Sequence, residues 1–320
     1  MTLPEEPSFW RRMPPAVFPP LLGLFGLGLA WRRAEAPFGL PSGLGDLILG
    51  AVTLLYLFTL LAYAAKLLRR PGVVIEDLRV LPGRAGLAAM TVSLMLLAAA
   101  LVPLSQGLAQ AVLFAGLAGH AVLAVLLIRV LVAAPPEARQ VTPVWHLAFV
   151  GFIVAPAAAA PLGYLDLVGA ILAATLLAAG VIYAVSLAQL GKQGPPPPLR
   201  PLQAIHLAPM ALFGQAAHLL GLEVTAVIFA VFANVVLAVL LWRARYLTKA
   251  GFSPLWGAFT FPLAAYSGLM LALWEVSEVF LVLGGLSLIT ATLIIPAIAA
   301  KVLQLWAKGV LAAKTNAAVA

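Results

Sequence analysis

The chain has no cysteine, which excludes disulfides, thiol chemistry and thiolate metal sites. It is also poor in charge. Only 9% of its 320 residues are Asp, Glu, Lys or Arg, where a soluble domain carries about a quarter. No G-x-S-x-G, Walker or dinucleotide-binding motif occurs, so the common hydrolase, nucleotide-binding and hydride-transfer signatures are missing. Charge is absent from the middle of every long apolar stretch. That argues against a proton pump or a strongly ion-coupled carrier, which need acids inside the membrane. A cation channel would want acidic rings or a carbonyl-filter signature, and neither is legible.

What is present is apolar. Hydrophobic residues make up 63% of the chain and the mean hydropathy is +1.08. An integral membrane protein is implied. Crossing the hydrocarbon core takes about 20 apolar residues in a helix. Charge-free intervals run over 13–31, 47–65, 85–128, 140–165, 167–191, 201–222, 224–242, 250–274 and 279–300. The 44 residues of 85–128 suffice for two spans, with Pro103-Leu-Ser-Gln106 as the turn. Ten transmembrane helices are therefore expected, near 13–31, 44–68, 84–103, 106–133, 143–162, 164–190, 201–220, 222–246, 252–274 and 276–306. The first is expected to be retained, because no small-residue cleavage site follows Glu5, Glu6, Arg11 and Arg12.

The net charge of +8 is explained by topology rather than by nucleic acid. With ten spans, seventeen of the nineteen lysines and arginines fall on one side, and only Arg32 and Arg33 on the other. The positive-inside rule then puts both termini in the cytoplasm, in the inner (plasma) membrane. Asp46, Asp166, Glu223, Glu275 and Glu278 stand near the outer starts of even-numbered helices, where carboxylates complement the helix dipole.

Proline favours the odd helices over the even ones, with two exceptions: the tenth carries Pro296, and in the third Pro103 falls at the end rather than the middle. Pro19 and Pro20 fall in the first helix, Pro156 in the fifth, Pro209 in the seventh and Pro262 in the ninth. The last three are spaced by 53 residues, about one helical hairpin. A proline inside a membrane helix frees a carbonyl, which water or protein must satisfy. Five hairpins follow, with broken odd helices lining a cavity and continuous even helices facing lipid. Ordinary packing kinks are the plainer alternative. The four histidines, His120, His146, His206 and His218, form no ligand pair on one helix and are read as packing residues dispersed in depth. No metal and no cofactor are expected. The Pro195–Pro198 run reads as a stiff spacer, and the tail after Lys308 as frayed.

Several stretches resemble a known family. They are Phe18-Pro-Pro-Leu-Leu-Gly-Leu24 with Leu29-Ala-Trp31, Ala62-Tyr-Ala-Ala-Lys-Leu67, Leu162-Gly-Tyr-Leu-Asp166 and Leu207-Ala-Pro209. Most specific is Leu255-Trp256 followed by Phe259-Thr-Phe261. Their order and spacing resemble the TehA branch of the tellurite-resistance/dicarboxylate transporter family, which includes the plant slow anion channels. The resemblance implies a homotrimer, each protomer an all-α bundle of five hairpins in quasi-fivefold arrangement around its own pore. It also implies a phenylalanine plug in the ninth helix. Phe-Thr-Phe puts that plug at Phe261, with Phe259 the alternative because one extra residue follows Trp256. Phe18, Pro20, Pro156, Pro209, Phe259 and Pro262 are the candidate pore-lining residues. The function implied is passive permeation of small anions such as chloride or nitrate. A secondary transporter of dicarboxylate, sulfite or tellurite-related oxyanions is the alternative. Membrane lipid and small anions are the expected partners, with no nucleic acid and no enzymatic activity.

Overall fold

The computed structural model describes residues 9–40, 43–192 and 194–320; Glu5 and Glu6 lie outside them. Every regular element among the described residues is helical. In chain order they are α1 (Phe18–Phe38), α2 (Leu44–Arg69), α3 (Val73–Arg79), α4 (Leu81–Leu101), α5 (Gln106–Ala133), α6 (Pro156–Ala159) and α7 (Leu165–Lys192). Then come α8 (Leu207–Leu219), α9 (Glu223–Trp242), α10 (Ala244–Leu247), α11 (Thr260–Ala272), α12 (Glu278–Ala307) and α13 (Val310–Lys314).

Seven segments among the described residues are long and apolar enough to cross a membrane: α2, α4, α5, α7, α9, Pro254–Ala272 and α12. The molecule is an α-helical membrane protein. α1 runs on to Phe38 and ends at Gly39, whose φ of 59° is the left-handed cap. Arg32 and Arg33 therefore stand on its last turns rather than in a loop.

The prolines act differently from mid-helix breaks. Pro15–Val17, Pro197–His206 and Pro254–Phe259 are 3-10 stretches that feed α1, α8 and α11. A π turn, His146–Val150, and a 3-10 turn, Gly151–Val154, feed α6. Pro19, Pro20, Pro156, Pro209 and Pro262 all sit in the first turn of the α-helix that follows. The first turn has no intrahelical acceptor for its N–H groups, so proline costs little there. Each break lies in the 3-10 or π segment just before its proline.

Burial divides the helices. In their most apolar stretches, α4 is 83% buried and Pro254–Ala272 67%, while α2, α5, α7, α9 and α12 are 17–33% buried. Leu54, Leu177, Val224 and Leu293 are at least 70% exposed on that second group. Apolar surface on this scale belongs against lipid or a neighbouring subunit. Asp46, Asp166, Glu223 and Glu278 occupy the first turns of α2, α7, α9 and α12.

A polar cluster locks the end of the bundle where α1 begins. Lys66 and Asp77 are both fully buried, and Lys66 Nζ donates to Asp77 Oδ2 at 2.8 Å. Lys66 also donates to the Met13 carbonyl at 3.0 Å, and Tyr63 Oη donates to Asp77 Oδ2 at 2.9 Å. The tail after Lys308 is ordered here rather than frayed. The Ala318 N–H donates to Asp77 Oδ1 at 2.8 Å, and Arg70 Nη2 donates to the Val319 carbonyl at 2.6 Å. The tail's hydrogen bonds fall on Arg11, Arg70 and Asp77, which lie far away in sequence, so local composition could not reveal its order. Arg70 also hydrogen-bonds Glu76 and holds its carboxyl below the usual carboxylate range. That pair is therefore intact at neutral pH and weakens only as pH falls through the depressed value. Being exposed, it contributes little.

Candidate functional site: two cavities separated by Phe261

Two small cavities lie end to end along the bundle. The larger, about 60 Å³, is lined by Ala16, Pro19 and Leu22 of the α1 segment and by Pro82 and Ala85 of α4. Residues of 146–154, 202–212 and 254–262 complete its wall. The smaller, about 30 Å³, is lined by Gly26, Leu29, Ala30 and Arg33 of α1, Leu96 of α4, and Val154 and Ala157. Leu212, Gln215, Phe261, Ala264, Ala265 and Gly268 close it. Each has room for a water-sized occupant. Among the described residues, both are lined only by α1, α4, α6, α8, α11 and the 3-10 and π stretches ahead of them. α2, α5, α7, α9 and α12 contribute no lining residue to either.

Three residues belong to both walls: Val154, Leu212 and Phe261. Phe261 is the only aromatic of the three and is 6% exposed. It is brought to the axis by close packing of α11 on α1. A Cβ on Gly23 would lie 2.3 Å from Thr260, and one on Gly26 would lie 3.1 Å from the Phe261 ring. Only glycine allows that approach. Thr260 Oγ1 donates to the Pro19 carbonyl at 3.2 Å and to the Gly257 carbonyl at 2.7 Å, tying the two helix starts together. Gly23→Ala is expected to push α1 and α11 apart and to lower stability by about 1–3 kcal/mol. Thermal unfolding of the purified variant in detergent measures it.

The candidate pore residues divide. Pro209 and Pro262 line the larger cavity and Phe261 lines both. Phe18 does not line either. It is fully buried against α2, edge-on to Tyr56 at 6.1 Å and Tyr63 at 6.3 Å. The cavity-lining face of α1 runs through 19, 22, 26, 30 and 33, a helical stripe, and position 18 is rotated off it. Pro20 packs on Gly257, where a Cβ would meet it at 3.2 Å. Pro156 is buried as the first residue of α6. Phe259 stands edge-on to Trp256 at 5.6 Å, outside both linings.

The histidines are not all dispersed. His146 Nε2 and His206 Nδ1 are 3.1 Å apart, although 60 residues separate them in sequence. Tyr183 of α7 donates to the His206 carbonyl at 2.5 Å and packs on both rings. His146 is the one polar side chain in the larger cavity's lining. The sequence signal was their shared place, each ahead of the α-helical turn of a proline-bearing segment. His120 does pack: its Nδ1 is 2.7 Å from Thr91 Oγ1, and its ring meets Phe152 at 4.5 Å. No group of three or more metal-type side chains forms among the described residues.

The family model for SLAC1, the voltage-dependent anion channels, matches residues 12–303. The chain belongs to this family. The match spans both cavities and all the helices that line them, so it covers the site as well as the scaffold. A search among curated proteins finds no significant match. Membership makes this a multi-pass protein of an anion channel and transporter family, which is a transport family rather than an enzyme family. For a SLAC1 member, the composition of the two cavities is apt. Among the described residues, neither lining holds a carboxylate, and the only cation in either is Arg33.

Proposed function

We propose that the protein is a passive anion channel in which each protomer has its own pore, closed by Phe261. The pore is the line of the two cavities, and Phe261 is the barrier between them. That Phe261 is the one aromatic among the three side chains bounding both cavities is the observation that carries this reading. An uncharged ring blocks ions by size and by excluding water. Ten spans in five hairpins are proposed, α1, α4 and the segments ending in α6, α8 and α11 inside, α2, α5, α7, α9 and α12 outside. The cavity linings and the burial contrast support this arrangement. By the positive-inside rule the larger cavity opens to the cytoplasm and the smaller lies on the outer side, in the plasma membrane. The homotrimer implied by the family resemblance would cover part of the apolar outer face. Cross-linking followed by mass measurement in mild detergent tests it.

The absence of carboxylates from both linings favours passive flow over proton-coupled carriage of dicarboxylate or other oxyanions. Current through Phe261→Ala compared with the parent tests the gate. Anion uptake that saturates and follows an imposed pH gradient would favour the carrier instead.

A further inference from the structure

Arg32 and Arg33 are the two basic residues that break the charge asymmetry of the chain. The fold treats them differently. Arg32 hydrogen-bonds and ion-pairs with Asp46 of α2 and donates from Nη1 to the Ala100 carbonyl at 3.0 Å. It is a surface tie. Arg33 faces the other way, into the smaller cavity. Its Nη1 donates to Gln215 Oε1 at 2.5 Å, and no carboxylate pairs with it among the described residues.

Gln215 holds Arg33 in place. Its Nε2 donates to the Ala265 carbonyl at 2.7 Å, so both ends of the amide are committed. Gly268 makes the room, since a Cβ there would lie 2.7 Å from Arg33 Nη1 and 3.2 Å from Gln215 Nε2. With Nη1 taken, the Nε and Nη2 edge of the guanidinium has no hydrogen-bond partner among the described residues. Leu29, Leu96, Val154, Leu212 and Phe261 supply an apolar wall. Arg33 is seven residues beyond Gly26, the residue against the Phe261 ring, on the same helical face and about 10 Å along the axis.

A cation in an apolar pocket without a counter-charge is costly unless something neutralises it. A helix C-terminus favours a cation, but Arg32 shows that the axis need not be where it points. We propose that Arg33, positioned by Gln215, forms a binding site for a small monovalent anion on the outer side of Phe261. The site rests on the reading of the two cavities as one anion path. It is the last stop before the ring for an anion entering from outside, and the first for one leaving.

Two measurements separate the site from the gate. The first is the melting temperature of purified parent, Arg33→Gln and Arg33→Lys in detergent. Sodium chloride or nitrate is exchanged against gluconate at constant ionic strength. Chloride and nitrate are expected to raise the melting temperature of the parent, less so that of Arg33→Lys, and not that of Arg33→Gln. An equal rise in Arg33→Gln, or none in the parent, overturns the site. A merely structural tie would lower the baseline in gluconate and leave the anion-dependent rise intact. The second is current through Phe261→Ala with and without Arg33→Gln. The chloride concentration giving half-maximal current is expected to rise about tenfold, as loss of a charge-assisted hydrogen bond implies. Current that is unchanged in both amount and concentration dependence defeats the site and leaves the channel standing. Silence of Phe261→Ala, with the anion-dependent melting shift abolished by Arg33→Gln, defeats the gate and leaves the site standing.

Discussion

Replacing Phe261 by alanine is expected to turn a silent protein into a conducting one, and the effect should follow side-chain size. Phe261→Leu should conduct little, Phe261→Val more, and Phe261→Ala and Phe261→Gly most. The ring is the bulkiest part of the wall shared by the two cavities, so its removal should merge them. Val154 and Leu212 then remain as the narrowest lining. Two-electrode recording in oocytes, with surface expression checked, reads the series. Stability offers a second readout. A phenylalanine packed on all sides loses about 3–5 kcal/mol on truncation to alanine. Phe261 has a cavity on either side, so its ring leaves fewer contacts behind. The Phe261→Ala protein should fall short of that range. A full core-sized loss with no current would mark Phe261 as packing.

The second large effect is expected far from Phe261, at the buried pair. Asp77→Ala should destabilise the protein by about 3–5 kcal/mol, because Lys66 would be left charged in a site from which water is excluded. The change also removes the acceptor for Tyr63 Oη and for the Ala318 N–H, so the tail should loosen. Lys66→Met with Asp77→Leu, which removes both charges and keeps the volume, should recover most of the loss. Thermal unfolding in detergent measures the pair, and limited proteolysis reads the tail. A double variant as unstable as Asp77→Ala would mean that the tail and Tyr63 bonds, rather than the ion pair, hold this end together. The position matters for the larger cavity. Lys66 is bonded to Met13, three residues before Ala16 in the lining of the larger cavity. Pro82, also in that lining, closely follows α3, which carries Asp77.

Much of the scaffold was legible because its signals are local. Charge marks the ends of apolar intervals, acids mark helix starts, and proline marks helices that begin with a tight turn. The site was harder, because facing direction depends on packing. Phe18 and Pro19 are adjacent in sequence, yet one faces Tyr56 and the other the cavity. The stripe through Gly26, Ala30 and Arg33 could have been read at helical spacing once α1 was carried past Trp31. It was hidden by ending the helix at the first arginine. His146 and His206 share a place at the starts of two proline-bearing segments, but nothing in either segment encodes their contact across the bundle. Arg33 was visible as an exception to the charge asymmetry, and only the cavity explains why the exception faces inward.

The most direct measurement is the reversal potential of purified Phe261→Ala in planar bilayers under a chloride gradient, beside the parent at equal protein density. The account predicts current in the variant that reverses near the chloride equilibrium potential, and none in the parent. Equal current in parent and variant, or reversal near the cation equilibrium potential, would contradict it.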